Sequence, residues 1–333
     1  MLLSAVSVKI ALFPMHGWLP KAYSAPSAPP LVPAVLSGIY EAAALYLFIR
    51  VVTLFSGVID ITIFLFVMGF ISGIFGFIRA TIEEDIYLIL AYSTVSQIGL
   101  IVIGVATGTE DGFWGSIFHV LAHSLFKSTL FLVTGDLLRH YGTRDISKIK
   151  GVMSTLPVTG IALVLGLLGL TGAPFFNGSI SKALIGAGIY TNAMYVLFNV
   201  ITLGSIIYSL KLADMLVGEN ELSREIRDNK EPKSRQRWVT LMFGSLTLLT
   251  GLFGEGIMTF LYDYQINLTA QGLLQHAITY LILLTLGYFI SRHIRKSENV
   301  FTSIVGINLS FNSMIRVLVL YFIILASFMY WSI

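Results

Sequence analysis

The sequence predicts an all-α fold, a polytopic membrane helix bundle of about ten transmembrane helices, two of them broken by Pro and Gly. Three observations carry this. Of 333 residues, 56% are hydrophobic and only 12% are charged, about half the ~25% charge of a soluble domain. Apolar runs close to the roughly 20 residues needed to cross a bilayer recur along the chain. Polar residues collect in short segments between them. A soluble enzyme, a nucleic-acid binder or a secreted module needs a solvated exterior that this composition does not supply. The 13% aromatic content excludes a disordered chain. There is no cysteine, which excludes disulfides, thiolate-held clusters and cysteine nucleophiles, and assigns any redox chemistry to another chain.

Taken in order, the apolar runs place spans near 2–22, 31–54, 59–80, 86–107, 112–138, 155–188, 190–213, 238–262, 270–291 and 314–332. The first lacks a charged leader and a small-residue cleavage site, so it is not read as a signal peptide. It is interrupted by Pro14, Gly17 and Pro20, and the 155–188 run by Gly172, Pro174 and Gly178. Broken helices at membrane depth persist where the freed backbone is buried in protein or lines a cavity, and they point to transport sites. The segment 214–237, with mixed charge and Pro232, reads as a polar loop. No phosphate loop or dinucleotide fingerprint occurs, so no cofactor is expected.

Charge sorts the loops. Lys21, Arg79, Arg139 to Lys150, Arg224 to Arg237 and Arg292 to Lys296 follow alternate spans, whereas the intervening loops carry Glu110, Asp111 and Asp263 without Lys or Arg. By the positive-inside rule the basic set is cytoplasmic and both termini are outside.

Ionisable residues within apolar spans are costly and therefore candidates for function. They are Lys9, Glu41, His119, His123, Lys127, Asp136 near the end of its span, and Lys182. His119, His123 and Lys127 recur every fourth residue and share one stripe of a helix, drifting by about 40° per step. Two imidazoles and an amine in register can hand on protons through intervening water. The plainer reading is that they only bond neighbouring helices. A zinc site would use the two histidines, but no cysteine or suitably spaced carboxylate joins them and Lys127 would repel the ion, so no metal is expected. Lys9 and Lys182 each lie beside a broken helix, as in transporters built from repeats. Glu41 is a candidate acidic partner for a lysine.

The stretches VKIALFPMHGWLPKAYSAPSAP, EEDIYLILAYSTVSQIG, HVLAHSLFKSTLFLVTG and LTGAPFFNGSISKALI, in this order between residue 8 and about 185, resemble the antiporter-like subunits of respiratory complex I, membrane-bound hydrogenases and multisubunit Na⁺/H⁺ antiporters. The resemblance implies inverted helical repeats, each with a broken helix, and a central line of lysines, histidines and acids that carries protons. By position, Lys9 matches the pumping lysine of the first repeat, His119, His123 and Lys127 the linking stripe, and Lys182 the terminal lysine. The next relay position falls on Ala42. Glu41 sits beside it, about 100° away on a helix, and is the acidic candidate there. Relatives carry several helices ahead of Lys9, so the chain is expected to be a short version, as half of a split subunit, as a scaffold or coupling element, or with an upstream start.

The resemblance divides the chain into 1–54, the remnant of the first repeat; 55–213, the second repeat; 214–237, a cytoplasmic polar loop; and 238–333, C-terminal helices. It implies a membrane-arm subunit of a redox-driven ion pump or of a cation/proton antiporter, moving H⁺, with Na⁺ in exchange in the antiporter version. Lys9, Glu41, His119, His123, Lys127 and Lys182 form the expected pathway, and no catalysis belongs to the chain itself. Partners are other membrane subunits and, in a redox complex, peripheral iron–sulfur subunits, within the cell membrane and without nucleic acid. The alternative is a non-conducting scaffold that bridges modules of the same complex.

Overall fold

The computed structural model describes residues 2–296 apart from 26–28, 30, 59, 220–233 and 267–269, together with six positions between 316 and 327. The expected span at 314–332 and most of the 214–237 loop lie outside the described residues.

The first apolar run breaks where Pro14 withholds an N–H. Helix α1 (Leu2–Lys9) stops, a 3₁₀ turn covers Met15–Gly17, and α2 (Trp18–Tyr23) resumes. Trp18 Nε1 donates to the Val8 carbonyl at 2.8 Å, an oxygen that also accepts from Ala11 N at 3.1 Å, and so ties α2 back to the end of α1. Next, α3 (Leu31–Val35) passes through a π-helical turn, Leu36–Tyr40, into α4 (Glu41–Phe55). Helices α5 (Thr62–Ile82), α6 (Ile86–Ala106) and α7 (Glu110–Tyr141) are uninterrupted. Asp85 accepts from Tyr87 N at 2.8 Å and Thr109 from Gly112 N at 3.0 Å, so both α6 and α7 start on side-chain caps.

A short α8 (Val152–Thr155) leads to α9 (Pro157–Thr171), whose first residue is a proline that fits the first helical turn. The second expected break follows, and α10 (Asn177–Ala187) continues beyond it. Then come α11 (Asn192–Ala213), α12 (Ser234–Leu252), α13 (Gly254–Tyr262) and α14 (Ala270–Lys296). The sequence reads 238–262 as one uninterrupted span, but α12 and α13 are bent by 81°. The bend lies where α12 meets the break between α9 and α10. Asn177 Nδ2 donates to Thr250 Oγ1 at 3.0 Å, and a Cβ on Gly251 would lie 2.2 Å from the Phe175 carbonyl. The two interruptions pack on each other.

Among the described residues there is no β-strand, only an isolated bridge between Asp85 and Asp145. Six of the helices among the described residues, or seven with the bent pair, are long and apolar enough to cross a membrane. Helices α6 and α7 are central, with 89% and 78% of their most apolar stretches buried, against 11% for α14. Ser96 Oγ donates to the Gly73 carbonyl at 3.0 Å and Ser72 Oγ to Val95 at 3.3 Å, bonds made possible by the glycine-lined contact of α5 with α6.

The connections gather at two ends. At one, Arg144 reaches the Ser24 carbonyl (2.8 Å), Ile146 N the Glu84 carbonyl (3.1 Å) and Val152 N the Met215 carbonyl (3.0 Å). This end holds Lys148 and Lys150. At the other, Thr109 Oγ1 donates to the Gly188 carbonyl (3.3 Å) and Tyr264 OH to Asp111 (2.7 Å). The basic loop at 142–151 thus lies at one end and the connections holding Asp111 and Asp263 at the other.

Candidate functional site

The polar groups of α7 point into the centre of the bundle. His119, His123 and Lys127 are each 0% exposed, and at 1.5 Å per residue they cover roughly 12 Å along the helix. Lys127 Nζ donates to the Leu90 carbonyl at 2.9 Å and to Ser93 Oγ, both on α6. Ser93 lies one turn before Gln97, so the same face of α6 serves Lys127 and then His119.

His119 Nε2 is 3.0 Å from Gln97 Oε1, and Gln97 Nε2 donates to Tyr208 OH at 2.9 Å, which makes Nε2 of His119 the protonated nitrogen. Its Nδ1 lies 2.7 Å from Ser181 Oγ, and that hydroxyl is also 3.1 Å from the Gly178 carbonyl. A neutral ring accepts the serine proton at Nδ1. A protonated ring donates there instead, while the hydroxyl turns to Gly178. Both charge states of His119 are therefore bonded without displacement of a heavy atom. His123 lies between His119 and Lys127 on the stripe, packs its ring 5.4 Å from that of Phe126, and has neither ring nitrogen bonded among the described residues.

Lys182, on α10, is 1% exposed. Its Nζ donates to the Leu170 and Thr171 carbonyls, each at 2.9 Å, and to Ser205 Oγ at 3.3 Å. The last carbonyls of a helix have no partner within it, and the break after Thr171 turns two of them to the lysine. Three acceptors meet the three N–H bonds of an ammonium, on the favourable C-terminal pole of α9. Gly172 makes this fit possible. Its φ is +82°, and a Cβ there would lie 2.9 Å from Lys182 Cδ. Neither Lys127 nor Lys182 forms an ion pair among the described residues, so neutral dipoles alone hold them.

Glu41 is also fully buried, and neither of its carboxyl oxygens has a hydrogen-bond partner among the described residues. It follows the π turn, which holds one residue more than an α turn. That extra residue turns Glu41 inward and leaves Ala42 half-buried. Tyr23 lies within electrostatic reach of it, and the π turn packs on α7, where a Cβ on Gly38 would lie 2.1 Å from Ser128 Oγ. Asp136 is buried nearer the basic end of α7, where it accepts from Thr159 Oγ1 at 3.3 Å. Lys9 stands apart from the stripe. It is exposed, with its ammonium 5.4 Å from the centroid of the Tyr40 ring.

The structure thus brings His119, His123, Lys127 and Lys182 into one buried line, with Asp136 further along α7 and Glu41 at the start of α4. Sequence reasoning passed over Ser93, Gln97, Ser181, Ser205 and Tyr208. The spacing of Ser93 and Gln97 inside an apolar run was the available signal. Ser205 and Tyr208 carry no comparable one, because single hydroxyls are common in apolar helices.

A helical bundle with broken apolar helices thus encloses a buried line of lysine and histidine side chains. The chain belongs to the NADH:quinone oxidoreductase/Mrp antiporter transmembrane family, which it matches over residues 1–207. It is 35% identical over 211 residues to NADH-quinone oxidoreductase subunit N of Desulforudis audaxviator, which covers 62% of this chain and 42% of the relative. The chain therefore spans less than half of that relative's length. In fold it is similar to a chain of the Mrp complex from Dietzia sp. DQ12-45-1b, with a TM-score of 0.69 at 24% identity, covering 87% of this chain and 60% of that one. It is similar also to a chain of an archaeal membrane-bound sulfane sulfur reductase, with a TM-score of 0.69 at 22% identity, covering 85% and 57%.

Proposed function

We propose that the chain is an antiporter-like membrane subunit of a larger complex, of the complex-I, sulfur-reductase or Mrp antiporter type, and that it moves protons along Lys127, His123, His119 and Lys182. One observation carries this reading: the four groups are buried in sequence, and His119 is joined to the Lys182 helix through Ser181. Family membership supports it. A proton on Lys127 passes by way of His123 to His119, then through the Ser181 region to Lys182. Glu41 is the acidic group of the flanking π-turned span, and Asp136 lies between the line and the basic end. Lys9 would join the line through the Tyr40–Glu41 region.

Residues 55–213 would form the repeat that holds the line, flanked by 1–54 and 238–333. The nine apolar runs in the described part, counting each broken run once, and the one at 314–332 would give ten crossings. The basic end is assigned to the cytoplasm by the positive-inside rule, which leaves both termini outside. Other membrane subunits are the expected partners, joined by iron–sulfur subunits in a redox-driven complex.

The test is proton transport by the native complex in sealed vesicles. Lys127→Ala and Lys182→Ala should each lower it to about a tenth or less, with the same subunits co-purifying. Transport at the original rate in both variants would leave only the scaffold reading.

A further inference from the structure

Around the π turn, buried oxygens gather without protein partners. Glu41 and Ser37 are 0% exposed and Tyr23 is 1% exposed. Both carboxyl oxygens of Glu41, Ser37 Oγ and Tyr23 OH have no hydrogen-bond partner among the described residues. Glu41 N donates to the Leu36 carbonyl, the longer reach of a π turn. Ser37 therefore stands about one turn before Glu41 on the same side of the segment. Tyr23 lies beside Ser37 and within electrostatic reach of Glu41. On the α7 side, a Cβ on Gly38 would lie 2.1 Å from Ser128 Oγ, so glycine is what lets the two helices close over this spot. Buried polar atoms are nearly always bonded, and four together point to something held between them.

The chemistry of the atoms narrows what that is. All of them are oxygens, the donors that suit a hard cation. An ionised carboxylate is costly to bury without a counter-charge, and no ion pair among the described residues includes Glu41. The titratable groups on the neighbouring elements are Lys9 on α1, Tyr23 on α2, and His123 and Lys127 on the part of α7 that holds Ser128. Lys9 is exposed over the Tyr40 ring, and Lys127 is taken by the Leu90 carbonyl and Ser93. One carboxylate balances one positive charge. A divalent ion would leave a buried net charge, whereas a monovalent one leaves the site neutral. Interrupted membrane helices are also where carboxylates and displaced carbonyls meet such ions.

We propose that Glu41, Ser37 and Tyr23 form a binding site for one dehydrated monovalent cation, Na⁺, which replaces the proton on Glu41. As Na⁺ enters, the carboxyl gives its proton to water, so one positive charge is exchanged for another. The site goes beyond the proton line of α7 and α10 and uses none of its four groups.

Binding of radioactive Na⁺ to the native complex in detergent tests this. Glu41→Gln, which keeps the size of the side chain, should bind one Na⁺ fewer per copy of the chain. Ser37→Ala should raise the Na⁺ needed for half-saturation of that site about tenfold or more. Dicyclohexylcarbodiimide modifies protonated buried carboxyls, and the modified peptide is read by mass spectrometry. In the unaltered complex, Na⁺ at about ten times its half-saturating concentration should slow modification of Glu41 about tenfold relative to choline at equal ionic strength. Asp136 serves as the comparison and should react alike in both. Equal Na⁺ binding by the original and Glu41→Gln complexes would overturn the proposal and leave buried water as the partner of these oxygens. Where Glu41→Gln fails to assemble, the carbodiimide decides. Modification of Glu41 that Na⁺ does not slow, equal slowing at Asp136, or no modification of Glu41 in choline would each overturn the site.

Discussion

Ser181 is the smallest group in the line and the one that allows His119 two charge states. Its hydroxyl lies within reach of both the ring nitrogen at 2.7 Å and the Gly178 carbonyl at 3.1 Å. Ser181→Ala deprives a protonated His119 of its acceptor. Hydrogen bonds to charged groups contribute about 1.5–3 kcal/mol, so transport should slow by roughly tenfold or more in that variant. Ser181→Thr, which keeps the hydroxyl, should stay near the original rate, and vesicle transport of the two variants distinguishes the bond from the packing. The four groups of the line were legible in the sequence because charge inside an apolar run is rare enough to stand out. Their partners were not. Gln97 and Tyr208 are uncharged, and three of the five acceptors for Lys127 and Lys182 are backbone carbonyls, which every residue carries.

The elements divide in the same way between what composition encodes and what packing decides. The breaks at Pro14 and at Gly172–Pro174 were legible, since proline cannot continue a helix and glycine takes the left-handed turn that closes one. The π turn at Leu36–Tyr40 and the 81° bend between α12 and α13 were not. Nothing in Leu-Ser-Gly-Ile-Tyr distinguishes a π turn from an α turn, and the bend lies where α12 runs into the α9–α10 break. Gly172 allows a direct test at this scale. A left-handed backbone costs an L-residue roughly 1–2 kcal/mol, and in Gly172→Ala the new Cβ would also crowd Lys182 Cδ at 2.9 Å. The variant should melt at a lower temperature in detergent than the original chain. An unchanged melting curve would mean that the break between α9 and α10 bears no such constraint.

At the scale of the whole molecule, central and peripheral helices differ by what surrounds them. Helix α6 is enclosed, whereas α12 and α14 turn large apolar side chains outward, among them Trp238 at 61%, Leu274 at 61% and Phe289 at 63% exposed. In a bilayer that surface meets acyl chains or another subunit. Trp18, by contrast, is half-buried and donates to Val8. Variants that keep one tryptophan, with the others changed to Phe, should show this in bilayers of brominated lipid. The chain with Trp238 alone should be quenched more strongly than the chain with Trp18 alone, and equal quenching would contradict the exposed placement of α12. Composition foretold a bundle in lipid, but which helices lie inside it depended on packing, since α6 and α14 are both apolar.

Two of the three acceptors that hold Lys182 are peptide carbonyls, and no codon encodes them. Single substitutions can erase the lysine or the Ser205 hydroxyl, but they can only shift the Leu170 and Thr171 carbonyls by moving the chain that carries them. Selection therefore acts on two of these three bonds indirectly, through residues that set the end of α9. Second-site revertants of a weakened Lys182 site should accordingly cluster where backbone direction is decided, at Gly172, Pro174 and Gly178, rather than among the atoms that touch the ammonium.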